Sequence, residues 1–139
     1  MDKSELSTLS FDHYIINYIN FEFNQSFDQE NVELEVDTKV DTSIDSEINK
    51  GITSIEMRLW EEAEEKNKPF SLRIKITGYF SSEAEVESED FAHLCKYNGS
   101  AILFPFLRSA IADLTKTANV PPLVLPLINI KNLVEEKEK

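Results

Sequence analysis

The sequence predicts an α+β fold in which a four-stranded antiparallel sheet packs against a long helix and a short C-terminal helix. Four segments up to Phe80 alternate apolar and polar residues with a period of two, which is typical of strands with one buried face. No helical pattern separates these segments, so neighbouring strands are expected to run antiparallel. After Asp90 the apolar spacing changes to that of a helix.

The first two predicted strands each have one apolar face. His13–Phe23 is rich in aromatic and β-branched residues. Its predicted core face holds Ile15, Ile19, Phe21 and Phe23, and its opposite face holds Tyr14, Tyr18, Asn20 and Glu22. The second strand has the cleanest alternation, with Val32, Leu34, Val36 and Val40 on one face and Glu33, Glu35, Asp37 and Lys39 on the other. We expect it to extend through Ile44 and Ile48 to a turn at Asn49–Gly51.

The third and fourth strands flank a charged segment. The third is marked by Ile55, Met57 and Leu59. The run Glu61–Lys68 predicts an exposed hairpin that closes near Pro69. In the fourth strand the predicted inward residues are Phe70, Leu72, Ile74, Ile76 and Phe80, and the outward ones are Ser71, Arg73, Lys75 and Thr77.

The remaining segments predict helices and an extended connector. A short helix around Phe91 is expected to stop at Asn98–Gly99, with Ser100 capping the next helix. Pro105 should kink that second helix or delay its start. Residues 120–126 hold three prolines and should be extended, before a terminal helix that begins at 129. We expect disorder over 1–10, a single domain over 11–134 and a frayed end over 135–139.

The predicted long helix carries apolar residues around nearly its whole circumference. At helical spacing one side holds Ile102, Phe106 and Ala110, and another holds Leu103, Leu107, Ile111 and Leu114. A helix that is apolar on all sides has to be buried on all sides, and a chain of 139 residues forms only one small core. We therefore predict that this helix packs on its own sheet and on a second copy of the chain. The predicted interface residues are Ile102, Phe106, Leu107, Ala110, Ile111 and Leu114.

The charge distribution argues against nucleic acid as a partner. The formal net charge is −12. Residues 1–90 hold 22 acidic and 8 basic side chains, whereas residues 91–139 hold 4 acidic and 6 basic ones. An acidic surface repels phosphate backbones. The same charge keeps an oligomer soluble or attracts a basic partner.

No motif for catalysis, metal binding or membrane insertion is found in the sequence. Cys95 is the only cysteine, so an intramolecular disulfide is excluded. His93 and Cys95 would lie about 200° apart on a helix, which does not suit a shared metal ion. Phosphate-binding loops and nucleophile motifs are lacking, so we expect neither an enzyme nor a cofactor. The first residues do not form a signal peptide, and no apolar run approaches the ~18 residues of a membrane span. A cytoplasmic location is expected.

Three aromatic side chains suggest a binding groove. Tyr14, Tyr18 and Trp60 are predicted to lie on strand faces opposite the core. They would either pack at the rim under a loop or line an apolar groove for another polypeptide. Grooves that accept many sequences rely on apolar contact and backbone hydrogen bonding.

These features together resemble SecB, the bacterial protein-export chaperone family. The most specific match is Ala101–Arg108 (AILFPFLR), followed by Val120–Leu123 (VPPL) and Asn129–Ile130. Weaker strand matches are Ile19–Glu22, Val32–Thr38 and Gly78–Ser81. The resemblance covers roughly residues 11–134. It implies a homotetramer, built as a dimer of dimers, that holds unfolded client polypeptides in surface grooves without ATP.

The resemblance also implies residue roles. The groove residues would be Val32, Leu34, Val36, Ile130, Leu133 and Val134, although each position equally suits an ordinary core. Trp60 joins these groove candidates from its predicted place on the face opposite the core. The translocase motor SecA would dock on acidic residues, for which the candidates are Glu22, Glu33 and Glu35. Tyr18 and Arg73 stand where the family has acidic residues, which departs from the export pattern.

Three functions therefore remain open from the sequence. The first is a holdase for preproteins on the way to Sec-dependent export. The second is a SecB-like chaperone dedicated to the antitoxin of a toxin–antitoxin module. The third, from a different class, is a non-chaperone adaptor that binds one folded partner.

Overall fold

The chain folds into a four-stranded antiparallel sheet covered on one side by a helical layer. The computed structural model describes residues 9–29, 32–82 and 86–120. The strands are β1 (Leu9–Phe23), β2 (Val36–Asp45), β3 (Lys50–Leu59) and β4 (Phe70–Ser82). The helices are α1 (Ala63–Lys66), α2 (Ser88–His93) and α3 (Gly99–Thr117), with a π-helical segment at Leu94–Asn98 between the last two. The predicted connector from 121 and the terminal helix at 129–134 lie outside the described residues.

The strand order is β1-β4-β3-β2, and every neighbouring pair is antiparallel. The sequence prediction of an antiparallel sheet with a long helix is confirmed. β1 begins at Leu9, four residues before the predicted start, because its ladder with β4 runs from Leu9 opposite Ser82 to Phe23 opposite Phe70. In the parts of the chain that are described, β1 and β2 form the two edges of the sheet. None of the described helices is long and apolar enough to cross a membrane.

The alternation of β1 is interrupted by two extra residues. Its register against β4 shifts between Phe11 and His13 and again between Ile16 and Tyr18. Each such bulge reverses the face on which the following side chains lie. The side of the sheet that faces the helices is called the helix side, and the opposite side is called the outer face.

These shifts correct two predictions for β1. Tyr14 pairs with Gly78 and therefore lies on the helix side, not opposite the core as predicted. Ile15 pairs with Thr77 on the outer face, whereas the sequence placed it inside. Ile16, opposite Ile76, packs against the core instead.

β2 is shorter at its beginning than the alternation predicted. It starts at Val36, and residues 32–35 are not part of the strand. Here the chain is held by Trp60, whose backbone N–H donates to the Glu35 carbonyl at 3.4 Å. Within β2, Val36 and Val40 face the core side opposite Leu59 and Ile55, as predicted.

The helices form one continuous run from Ser88 to Thr117, so the predicted stop at Asn98–Gly99 is wrong. Gly99 has helical angles, with φ −60° and ψ −45°. Ser100 does not cap a helix; its hydroxyl donates to the Lys96 carbonyl at 2.5 Å. The Thr53 hydroxyl on β3 donates to the Cys95 carbonyl at 2.6 Å. These two bonds satisfy carbonyls of the π-helical segment, where the ordinary i→i−4 pattern is interrupted.

The helical run lies very close to the sheet at two glycines, Gly51 of β3 and Gly78 of β4. A Cβ atom added to Gly78 of β4 would lie 2.6 Å from Cδ2 of Leu103. One added to Gly51 of β3 would lie 2.5 Å from Sγ of Cys95. Leu103 and Cys95 are both fully buried, and burial raises the pKa of the Cys95 thiol to about 11. Cys95 therefore acts as a small apolar residue, since its reactive thiolate is disfavoured at neutral pH.

Gly78→Ala should lower the free energy of unfolding by about 1–3 kcal/mol, because the added methyl group overlaps Leu103 in a closely packed core. Leu103→Ala alone should cost about 2–5 kcal/mol through the cavity it leaves. In the double variant the alanine at 78 occupies part of that cavity, so its loss should be smaller than the sum of the two single losses. Urea denaturation of all four proteins measures this coupling. Strictly additive losses would contradict the contact between the two residues.

Candidate interaction surfaces

The described part of the chain exposes large apolar side chains on both sides of the sheet and in the segment before β2. These residues are Tyr14, Ile15, Ile19, Phe23, Leu34, Ile48, Ile52 and Phe106. Tyr14, Ile19 and Phe23 lie on the helix side of β1, next to Phe106 of the long helix. Ile15 and Ile52 lie on the outer face, Ile48 lies in the β2–β3 turn, and Leu34 lies in the segment before β2. Grouped apolar exposure of this kind marks surfaces that bind other polypeptides.

The helix side of β1 continues into the long helix through stacked aromatic rings. The Phe106 ring lies 4.6 Å from the Tyr14 ring and 5.9 Å from the Phe11 ring, between centroids. Phe11 in turn packs on Phe80 of the core at 5.4 Å. This surface, called the β1 apolar edge, consists of Phe11, Tyr14, Ile19, Phe23 and Phe106. It lies beside a 15-residue strand that pairs only with β4 in the described part of the chain.

The long helix separates the six predicted interface residues into two groups. Leu107 and Ile111 are fully buried against the sheet of their own protomer, so they are not available to a second copy. Phe106 is 39% exposed. Ile102, Ala110 and Leu114 are half-buried and pack at the margin of the core. The prediction for Leu107 and Ile111 is wrong because their side of the helix lies directly over the sheet.

Trp60 is buried and anchors the segment before β2. It is 6% exposed, which corrects the prediction that it lies opposite the core. Its ring meets the Phe70 ring edge-on at a centroid distance of 5.0 Å. Its indole N–H donates to the Glu33 carbonyl at 2.9 Å. Its backbone has a left-handed φ of 49°, a conformation that ends β3 and turns the side chain toward this segment.

The predicted groove residues are therefore only partly brought together. Val32 and Val36 are half-buried and pack against the core, whereas Leu34 is 36% exposed. Trp60 supports this segment from beneath with little of its surface exposed, and together with Val36 it borders a shallow concavity of about 200 Å³. The other wall was predicted from Ile130, Leu133 and Val134, which lie outside the described residues.

Sequence reasoning missed Asn24 as a residue that shapes this end of the sheet. Its buried side-chain amide donates to the carbonyls of Ala63 at 3.2 Å and Lys68 at 2.9 Å. These bonds fix the charged segment, which contains the short helix α1 and is not a plain hairpin. The only sequence signal was an asparagine directly after a strand, which is common in turns.

The acidic residues predicted to dock SecA are not neighbours. Glu22 is exposed on the outer face of β1, opposite Ser71. Glu33 and Glu35 precede β2, and three strand spacings of about 4.8 Å separate β1 from β2. The Glu35 carboxylate also lies 4.0 Å from Lys66 Nζ and 3.8 Å from Lys68 Nζ. No joint acidic surface is formed by these three residues.

Between these positions the outer face carries a chain of paired charges. The Tyr18 hydroxyl donates to the Glu56 carboxylate. Arg58 Nε donates to the same carboxylate at 2.8 Å, and Arg58 Nη1 lies 3.3 Å from Glu61. Arg73 Nη2 donates to Glu61 at 3.2 Å. Each carboxylate thus faces a cation, so this part of the face has no strong negative potential.

The hydrogen bond from Tyr18 has opposite effects on the two groups that share it. It is the main cause of the lowered pKa of Glu56. The hydrogen bond from Arg58 lowers this pKa further, whereas partial burial raises it. The same bond, together with burial, raises the pKa of Tyr18. The arrangement therefore stabilises a charged carboxylate beside a neutral phenol.

Comparisons with known proteins give one family. The family model described as preprotein translocase subunit SecB matches residues 6–139. An uncharacterised protein of Methanocaldococcus jannaschii is 31% identical over 143 residues, which cover 100% of this chain and 90% of that protein. The protein-export protein SecB of Anaplasma phagocytophilum is 38% identical over 79 residues, or 55% of this chain and 50% of that protein.

A solved structure confirms the fold. The SecB-like chaperone of Mycobacterium tuberculosis, in complex with a ChAD peptide from the HigA1 antitoxin, superposes with a TM-score of 0.72. The match covers 89% of this chain and 93% of that one, at 14% identity. At this identity the likeness concerns the fold alone.

Tyr18→Phe should raise the pKa of Glu56 toward its ordinary value of 4.5, because the strongest hydrogen bond to the carboxylate is removed. A carboxylate whose pKa is lower in the folded than in the unfolded protein stabilises the folded state above pH 4.5. This stabilisation is lost as the pH falls through the pKa of the folded state. The variant should therefore lose less stability than the wild type between neutral and acid pH. Carboxyl-carbon NMR titration, with denaturation at several pH values, measures both effects. An unchanged Glu56 titration would contradict the assigned cause.

Proposed function

This chain belongs to the SecB family, and we propose that it is an ATP-independent chaperone that holds non-native polypeptides unfolded and soluble in the cytoplasm. The observation that carries the proposal is the SecB family match over residues 6–139. The exposed apolar surfaces of the described residues support it, since a holdase must offer apolar contact to chains without a fixed shape. The proposed role is binding and not catalysis.

The proposed client groove begins at the segment before β2. Leu34 presents its side chain to solvent there, while Val32 and Val36 connect it to the core. Trp60 keeps the segment in place through its bonds to the Glu33 and Glu35 carbonyls. We keep Ile130, Leu133 and Val134 as the proposed second wall.

Two classes of client remain candidates. The likeness to SecB export proteins supports preproteins, with SecA docking at Glu22 and, at a separate place, Glu33 and Glu35. The paired charges around Glu56 and Glu61 favour weak docking of a basic partner. The antitoxin peptide bound to the Mycobacterium tuberculosis relative supports the second candidate, a dedicated antitoxin chaperone. Mass spectrometry of proteins that co-purify from the native cell distinguishes many precursors from one antitoxin.

We also propose a homotetramer formed as a dimer of dimers. The β1 apolar edge joins an unpaired edge of the described sheet to the exposed ring of Phe106. Edge strands are usually protected from uncontrolled pairing, and a second copy on the same surface would protect this one. Such a twofold contact is self-complementary, as expected for a homo-oligomer.

The protein in excess should suppress the aggregation of a slowly folding client, and ATP should not change the effect. Leu34→Ser should require about fivefold more protein for the same suppression, because about 1 kcal/mol of apolar contact is lost. Ile15→Ser is the matched control, since Ile15 is similarly exposed on the outer face. Light scattering of the client follows the result. Tight binding to a native protein alone, with no suppression, would favour the single-partner adaptor.

In multi-angle light scattering the wild type should give about four times the chain mass of 16.0 kDa at micromolar concentration. Phe106→Glu should lower that mass, because it places an unpaired charge in an apolar contact. Ser109→Glu, on an exposed position of the same helix, should leave the mass unchanged. A circular dichroism spectrum confirms that the variants remain folded. A monodisperse wild-type monomer would overturn the tetramer.

A further inference from the structure

The outward edge of β2 is a second place where the described sheet ends in an unpaired strand. β2 (Val36–Asp45) pairs with β3 on one side, and among residues 9–29, 32–82 and 86–120 no strand lies on its other side. On such an edge every second residue directs its backbone N–H and C=O away from the sheet. A long exposed edge therefore pairs readily with a further strand unless its side chains oppose the pairing.

The outer-face side chains of β2 are complementary to themselves about Val40. Lys39 and Asp41, one on each side of Val40, have side chains that are 67% and 69% exposed, and Lys39 Nζ lies 3.9 Å from Asp41 Oδ2. In an antiparallel contact with a second copy that places Val40 opposite Val40, each Lys39 lies opposite an Asp41 of the copy. The same contact places Asp37 opposite Ser43. It therefore contains two pairs of opposite charge, and no like charges of the two strands face each other.

Other alignments of the two strands are less favourable. A contact centred on Lys39 or on Asp41 places like charges opposite each other, which destabilises a cross-strand pair. A contact centred two residues to either side of Val40 leaves more of β2 unpaired. Beyond the end of the strand, the Val40 alignment brings Asp45 near Glu35 of the copy, but the Glu35 carboxylate already lies within 4.0 Å of two lysine ammonium groups. Edge charges usually prevent pairing, and here they oppose most alignments but favour one.

The helix side of β2 suits the same alignment. Val36 would lie opposite Ile44 of the copy, and both are half-buried at the margin of the core. Thr38 would lie opposite Thr42, whose hydroxyl oxygen is buried and has no hydrogen-bond partner among the described residues. Rotation about the Cα–Cβ bond of Thr42 can direct this hydroxyl toward Thr38 of the copy. Threonines that face each other across antiparallel strands form such hydrogen bonds, so the contact would supply the partner.

We propose that β2 pairs with β2 of a second copy in the Val40 alignment, so that two sheets join edge to edge with their helical layers on the same side. The occupant is a second copy because the charges and the threonines of this strand are complementary to the same strand running in the opposite direction. The contact lies at the opposite edge of the sheet from the β1 apolar edge, so both surfaces can be occupied at once. It would join copies in addition to the contact proposed for the homotetramer, and it does not depend on holdase activity.

Charge reversal in the full chain tests the alignment, with sedimentation velocity at increasing protein concentration as the measurement. Lys39→Asp and Asp41→Lys should each weaken association through β2 about tenfold, because one substitution makes both ion pairs of the twofold contact repulsive. The double variant Lys39→Asp/Asp41→Lys restores opposite charges and should associate about as strongly as the wild type. Added salt should reduce the differences among the four proteins. Circular dichroism confirms that the variants remain folded.

Cross-linking tests the same alignment independently. The Val40→Cys chain should form a covalent dimer when it is oxidised with copper phenanthroline, because the Cα atoms of directly opposite residues lie about 4.5–5.5 Å apart, within the range of a disulfide. Ser43→Cys, at an exposed position of the same strand, should cross-link far less, since residue 43 does not lie opposite itself. Adding Phe106→Glu should leave the Val40→Cys cross-link in place, which separates this contact from the proposed tetramer surface. Nonreducing gel electrophoresis follows the dimer.

Four outcomes would overturn the proposal. Unchanged association of Lys39→Asp would show that the copies meet elsewhere. A folded double variant that does not recover association would exclude the Val40 alignment. Equal cross-linking of Ser43→Cys and Val40→Cys would indicate random collision and not a fixed register. A Val40→Cys thiol that neither cross-links nor reacts with a small maleimide would show that the chain itself covers this edge.

Discussion

The close approach of the helical run to the sheet is the contact on which the rest of the structure depends. It is possible because β3 and β4 each present a glycine where the helix crosses, so that Cys95 lies on Gly51 and Leu103 lies on Gly78. At such distances the side chains are packed as closely as molecules in an organic crystal, so a single added methyl group overlaps its neighbours and destabilises the fold. This contact places Leu107 and Ile111 on the sheet and leaves the Phe106 side of the helix at the edge.

The π-helical segment allows one helical run to meet two strands. It shifts the helix by one residue between Cys95 and Leu103, the two side chains that lie on glycines. The Thr53 hydroxyl, reaching from β3, satisfies the Cys95 carbonyl within that segment. Sheet and helix are thus joined by a polar bond at the same place where their apolar surfaces are closest. Widened turns of this kind recur where a helix is fitted to a particular contact.

The two sides of the sheet are suited to different interactions. On the helix side, apolar rings continue from the core to the edge of β1 without a polar interruption. On the outer face, Glu56 and Glu61 are neutralised by Arg58 and Arg73, so electrostatic attraction is weak there. The ring contacts at the β1 apolar edge and the paired charges around Glu56 therefore lie on opposite sides of the sheet.

The strand pattern, the antiparallel sheet and the long helix followed from the sequence, because local periodicity states which side of an element is buried. The inward residues of β4, from Phe70 to Phe80, were predicted correctly for this reason. The two bulges in β1, the burial of Trp60 and the helix that continues through Gly99 were decided only by the tertiary structure. Each depends on a partner far away in the chain: β4 for the register of β1, the Glu33 carbonyl for Trp60 and Thr53 for the helical run. A one-residue shift in strand register leaves the local strand propensity unchanged but changes every contact across the sheet. It therefore cannot be predicted from one segment alone.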